Sequence, residues 1–263
     1  MDPIPPIPEP PAGPPPPPAT LLVGRLMNVF AAPGEVFSEI KTAPPAVANW
    51  LVPALLFVVL SWLSAAVIFS QPAIRQQITD LSNRAIDQQV EKGKISAAQA
   101  DKIRESSEKF GRVGYEIGAA VEPVFTMGFS LFLGGLVLWL VGTFALKGSF
   151  PYMKAVEVAG LSCMTLVLEV VIKTLLILIT GNLFASPSLA LLVRDFDPQN
   201  TVHALLAMVN VMVFWLLIIR AVGLARLSGA SVTKAAVWVF GIWIVFMGLM
   251  IGMGAALRTI SGG

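Results

Sequence analysis

Residues 49–69 read NWLVPALLFVVLSWLSAAVIF, twenty-one positions without one charge. A helix of that length, at about 1.5 Å rise per residue, reaches about 31 Å, enough to cross the hydrocarbon core of a bilayer. Trp50 stands at one end, where an indole suits the boundary between lipid and water. Pro53 falls near the start, where it bends the helix little. Outward from this stretch the same texture recurs. Four further apolar blocks follow, at about 123–146, 155–180, 204–222 and 235–257.

Composition decides what these blocks face. The residues AVILMFWYC make up 56% of the 263 positions and DEKR only 13%, against about 25% charged in typical globular proteins. So little charge cannot cover a globule of this size, and most apolar surface must face lipid. The fold class that follows is all-α: a polytopic membrane bundle of five transmembrane helices, with an extracytoplasmic helical hairpin. The net charge of +2 carries no clustered basic face of the kind nucleic acid requires. The single cysteine, Cys163, excludes a disulfide framework or a cysteine-based metal site within one chain.

Punctuation between the blocks supports this division. Lys147-Gly148-Ser149-Phe150-Pro151 makes a tight turn between spans two and three, and Gly181-Asn182 ends span three as a C-cap pair. Arg194-Asp195-Phe196-Asp197-Pro198 belongs to a loop before span four. Between spans one and two, residues 71–118 change character. Ile74, Ile78, Leu81 and Ala85 repeat at helical spacing, Lys92-Gly93-Lys94 breaks the helix, and Ser96 to Gln99 begins another as a capping box. The second arm carries Ile103, Phe110, Val113 and Ile117 among alternating charges. Counted to Glu122, the eight basic and eight acidic residues of this region form a solvated surface.

Ahead of span one, residues 21–48 form a leader. Leu26, Val29, Phe30, Pro33, Val36, Phe37 and Ile40 make an apolar stripe opposite Glu35, Ser38, Glu39 and Lys41, which suits a short helix in the membrane interface or docked on the spans. Residues 1–20, MDPIPPIPEPPAGPPPPPAT, read as an extended proline-rich tether, and 258–263 as a short tail. Lys and Arg in short segments set the orientation. With the N-terminus in the cytoplasm, that side gathers Arg25, Lys41, Lys147, Lys154, Arg220, Arg226 and Lys234, against Arg194 and Arg258 opposite. The expected arrangement is N-terminus inside, C-terminus outside.

Three stretches carry a resemblance. LMNVFAAPGEVFSEIK (26–41), KGSFPYMKAVEVAGLS (147–162) opening span three, and IIRAVGLARLSGASVTKA (218–235) closing span four, set in five spans, resemble the Yip domain family. Its members are small polytopic proteins named for interacting with Ypt/Rab GTPases in eukaryotes and widespread in bacteria. The resemblance covers residues 22–257, outside the proline tail and the hairpin. It implies five spans, a cytoplasmic N-terminus, a role in membrane organisation, trafficking or complex assembly, and no catalysis. Some bacterial members are associated with exporters. The long hairpin departs from the compact eukaryotic pattern, which points away from a Rab-type partner and toward a bacterial inner membrane.

Few residues could carry chemistry. Glu169 and Lys173 stand in mid-span three, where an isolated charge costs about 2.5–3.5 kcal/mol. Their i,i+4 spacing lets each offset the other, as a structural pair or as part of an ion relay. A relay needs more ionisable groups at depth, and the other spans are read as offering none; Asn210 is the one polar candidate nearby by type. Glu157 is expected at the interface, solvated or paired with Lys154, and His203 on the surface at the outer mouth of span four. Gly241, Gly248, Gly252 and Ala256 form a small-residue stripe on span five, suited to close helix packing, within the chain or between chains. No nucleophile with a base, phosphate loop or paired carboxylates is evident, so no catalytic residue, cofactor or metal is assigned. The expected partners are the lipid bilayer and other membrane proteins, with no nucleic acid and an oligomer open. The leading expectation is a non-enzymatic scaffold or accessory subunit; the alternative is a transporter or channel subunit using Glu169 and Lys173.

Overall fold

The computed structural model describes residues 21–262 apart from 195, 198 and 199, without the side chains of 108–110, 112, 255 and 257–262. The proline-rich tail expected at 1–20, and the side chains of the short tail with its Arg258, lie outside the described residues. The leader forms two helices, α1 (Leu22–Ala31) and α2 (Pro33–Thr42). Ala32 leaves the helical region at φ −131°, ψ 52°, and Pro33 restarts the helix at a first position that needs no N–H donor.

Helix α3 (Ala48–Ser70) is the first span, and α4 (Pro72–Glu91) folds back from it. Gly93, at φ +66°, supplies the left-handed turn that ends this arm. Then α5 (Ala97–Gly128) begins at Ser96 with both halves of the capping box formed: Gln99 N–H donates to Ser96 Oγ at 3.3 Å, and Ser96 N–H to Gln99 Oε1 at 2.8 Å. α5 continues unbroken into the second span, so one rod joins hairpin and bundle. After it come a π-helical turn (Phe129–Leu133), α6 (Gly134–Leu140) and a second π turn (Val141–Ala145). The third span is α7 (Tyr152–Ser162) and α8 (Met164–Thr180), divided by a tight turn at Cys163.

The fourth block, expected as one helix over 204–222, is divided. Helix α9 (Thr201–Met208) stops, and α10 (Val211–Ser228) starts afresh. Between them Asn210 is extended at φ −109°, ψ 124°, and bridges to Ser188; Leu189 N–H donates to Val209 O and Val211 N–H to Pro187 O, both at 3.1 Å. Backbone pairing with a distant loop replaces the helical bonds lost at the break. The last helix is α11 (Val232–Gly262). Five stretches are long and apolar enough to cross a membrane: Ala48–Ser70, Val113–Ala145, Tyr152–Thr180, Val211–Ser228 and Val232–Gly254.

α7 is the centre of the molecule, with every residue from Lys154 to Ser162 buried. Glycines set how closely neighbours approach it. A Cβ on Gly160 would lie 2.4 Å from Trp50 Cα, and one on Gly223 would lie 2.4 Å from Val158 Cγ1. Only hydrogen fits at either place. The leader is docked on this core: Val29, Phe37 and Ile40 are each 0% exposed and cluster with Ala155, Val158 and Leu224. Full burial of Phe37 or Ile40 contributes about 1.5–3 kcal/mol relative to exposure in water. At the far end a smaller cluster of Ile68, Ile74, Ile177 and Ala185 seats α4 on spans one and three. α11 packs on α10 through Phe214, which meets Trp243 at 5.5 Å between ring centroids, and only 6% of its apolar stretch is buried.

Candidate functional site

Two polar knots, buried or half-buried, and one contact at a helix break carry the charged side chains of the bundle. The first knot lies where the leader meets α3 and α7. Lys154 and Glu157, one turn apart on α7, form an ion pair at 3.1 Å with side chains 5% and 1% exposed. Asn49 donates its amide to the second Glu157 oxygen at 2.6 Å. Arg25 of α1 reaches the Asn49 carbonyl at 3.3 Å and Glu39 of α2 at 2.7 Å. Two carboxylates and two cations thus alternate through one amide and join four helices. Glu157 is paired with Lys154, but it is sealed from solvent rather than solvated at an interface.

The second knot centres on Arg220, tenth of the eighteen residues of α10. Its Nε donates to Ser162 Oγ at 3.1 Å, and one terminal nitrogen donates to Ser130 Oγ at 2.7 Å and Ser130 O at 3.1 Å. Ser130 lies in the first π turn, whose widened ring leaves a carbonyl free for an outside donor. Gly134, one turn on, gives the guanidinium room: a Cβ there would lie 3.2 Å from an Arg220 nitrogen. Arg220, counted from sequence among the cytoplasmic charges, is therefore half-buried against the second and third spans in mid-helix. The expectation that no other span holds an ionisable group at depth is corrected by this residue. α10 runs past position 222 to Ser228, which draws Arg220 away from the helix end.

Glu169 and Lys173 stand one turn apart on α8 without direct ion-pair contact, and Glu169 has a further partner. Glu169 is half-buried and accepts from the Asn210 amide at 2.6 Å, while Asn210 Oδ1 caps α10 by accepting from Met212 N–H at 2.8 Å. Lys173 is exposed, and no ion pair joins it to Glu169 among the described residues. The i,i+4 spacing is present, but the carboxylate turns toward the helix break. His203 is half-buried; its Nδ1 accepts from Asp197 N–H at 3.0 Å and its ring stacks on Phe196.

At its glycines the small-residue stripe of α11 meets nothing among the described residues. A Cβ added at Gly241, Gly248 or Gly252 would find no atom within 4 Å. Ala256, further along the helix, is exposed. Of the two expectations, packing of these glycines inside the bundle finds no contact among the described residues. The helix meets α10 on another face, through Ala235, Val239 and Trp243. Among the described residues no group of His, Cys, Asp and Glu could hold a metal ion.

Sequence reasoning missed the part played by Asn49, Ser130, Ser162 and Arg220. A signal was available, since Arg220 stands nine residues after the helix start at Val211 and eight before its end at Ser228. The missing information was the break at Val209–Asn210, which moves the start of the helix. The three stretches 26–41, 147–162 and 218–235 meet at the leader end of the bundle. There Phe37, Val158 and Gly223 touch, and a Cβ on Gly148 would lie 2.6 Å from Ser228 Cα.

Compared with known proteins, the chain matches the Yip1 domain across residues 27–253. Nothing among the curated proteins or the solved structures matches it. The match runs from α1 into α11 and takes in all three of these stretches except Leu26, so this chain belongs to the Yip1 domain family.

Proposed function

We propose that the protein is a non-catalytic scaffold or accessory subunit of a bacterial inner membrane. In this reading it serves membrane organisation, trafficking or the assembly of a membrane complex such as an exporter. Its leader lies at the cytoplasmic face and its hairpin outside. One observation carries the reading: among the described residues the charged groups of the interior are engaged with polar partners, whereas α11 is left 6% buried with its glycines open. Lipid tails pack poorly against a ribbon of backbone, and another helix packs well, gaining dispersion contacts that lipid does not supply. The α11 stripe is accordingly the surface offered to another membrane protein or a second copy. Transport past Glu169 and Lys173 has less support, because the Asn210 amide that engages Glu169 belongs to the residue that caps α10.

A photo-crosslinking residue at Gly252, activated in native membranes, is expected to capture a discrete protein band. Gly248→Leu is expected to abolish that band without loss of the protein from the membrane. A crosslinker at Ile218, 51% exposed on α10, is the control and is expected to capture lipid alone. Lipid adducts alone at Gly252 would overturn the reading.

A further inference from the structure

Outside both knots, a half-open groove of about 1130 Å³ lies between the end of α3, α4 and the middle of α5. Ordinary small-molecule pockets run to about 300–1,000 Å³. Its walls are fixed at several points. Trp62 Nε1 donates to Ala120 O at 2.9 Å across the floor. Gln77 of α4 clasps the loop after span three, donating to Gly181 O at 2.5 Å and accepting from Leu183 N–H at 3.1 Å.

The lining changes character along its length. Trp62, Ala66, Phe69 and Ala119 belong to stretches apolar enough to lie in the bilayer, whereas Arg75 and Arg104 stand on the polar hairpin. The groove therefore straddles the boundary between membrane and water. Its two arginines differ. Arg104 is held by Asp87 and by Asp101, the latter at 2.9 Å. Arg75 has the carbonyls of Phe69 and Ser70, at 3.3 and 3.4 Å, and no carboxylate partner among the described residues. Glu116, on the same wall, is already engaged within the chain.

We propose that this groove binds one anionic phospholipid, its acyl chain along Trp62, Ala66, Phe69 and Ala119 and its phosphate on Arg75. A soluble anion would match Arg75 and leave the apolar floor wet. A zwitterionic lipid would cover the floor but bring its own cation, which competes with the guanidinium for the phosphate. A single membrane lipid carrying a phosphate and no headgroup cation satisfies both, and it enters sideways from the bilayer through the open edge. The proposal does not depend on the scaffold reading, since it concerns a different face of the molecule from α11.

The test uses the full chain, delipidated in mild detergent and offered phosphatidylglycerol or phosphatidylcholine with identical acyl chains, with bound lipid counted by native mass spectrometry. One phosphatidylglycerol per chain is expected, retained about fivefold over phosphatidylcholine, as suits one arginine near the membrane surface. Arg75→Gln is expected to bring that ratio close to one. Ala66→Trp, which keeps the charge and fills the floor, is expected to lower retention of both lipids. Three results would overturn the proposal: a preference unchanged by Arg75→Gln, retention unchanged by Ala66→Trp, or displacement of the lipid by glycerol 3-phosphate at equal concentration.

Discussion

Glu157 accepts from Asn49 at 2.6 Å and faces Lys154 at 3.1 Å, in a place where both charged side chains are at most 5% exposed. Two ions taken from water recover the cost of desolvation only while each keeps its partner. Removing one partner strands the other, so Lys154→Met is expected to destabilise the bundle by about 3–5 kcal/mol. Lys154→Met combined with Glu157→Gln, which keeps an acceptor for Asn49, is expected to recover more than half of that loss. Unfolding in detergent followed by circular dichroism measures both; equal losses in the single and double variants would show that the pair does not act as a unit. At this scale the sequence was only partly legible. Lys154 and Glu157 announce a pair by their spacing, but their burial depends on Asn49 and on a leader that folds over them. Glu169 shows the same limit, because its partner Asn210 is forty-one residues away.

Among the helices, the glycines divide into two classes that the sequence does not separate. Gly160 and Gly223 sit where another chain segment lies within 2.4 Å of an added Cβ, while Gly241, Gly248 and Gly252 face open space. Gly160→Ala and Gly223→Ala are therefore expected to cost about 1–3 kcal/mol through overpacking, or more where backbone must move. Gly252→Ala is expected to be neutral or slightly stabilising, since helix propensity favours alanine by about 1 kcal/mol. Comparing melting temperatures of the three variants checks this; a loss at Gly252 equal to that at Gly160 would place α11 inside the monomer's core. GxxxG spacing drew attention to α11, whereas the glycines that space the core lie in AVEVAGLS and IIRAVGLARLS without any such repeat. The helices themselves were legible, through apolar length, the capping box at Ser96 and the turn at Gly93. The break in span four was not, because residues 204–222 are apolar throughout apart from Asn210 and Arg220, and what interrupts them is backbone pairing with Pro187–Leu189.

In the whole molecule, five apolar stretches long enough to cross a membrane put the leader at one end and the hairpin at the other. The first span places the leader at Ala48 and the hairpin beyond Ser70, twenty-three residues apart. The turn at 147–151 and the turn at 229–231 share the leader's end, as the approach of Gly148 to Ser228 shows. Native Cys163 is 0% exposed, so it is silent to a membrane-impermeant maleimide and introduced cysteines report alone. The decisive measurement is therefore labelling of Lys94→Cys, Ser149→Cys and Ser231→Cys in intact cells and in inverted membrane vesicles. Lys94→Cys is expected to react from outside, and Ser149→Cys and Ser231→Cys only in the vesicles; reaction of Lys94→Cys and Ser149→Cys from the same side would contradict five crossings.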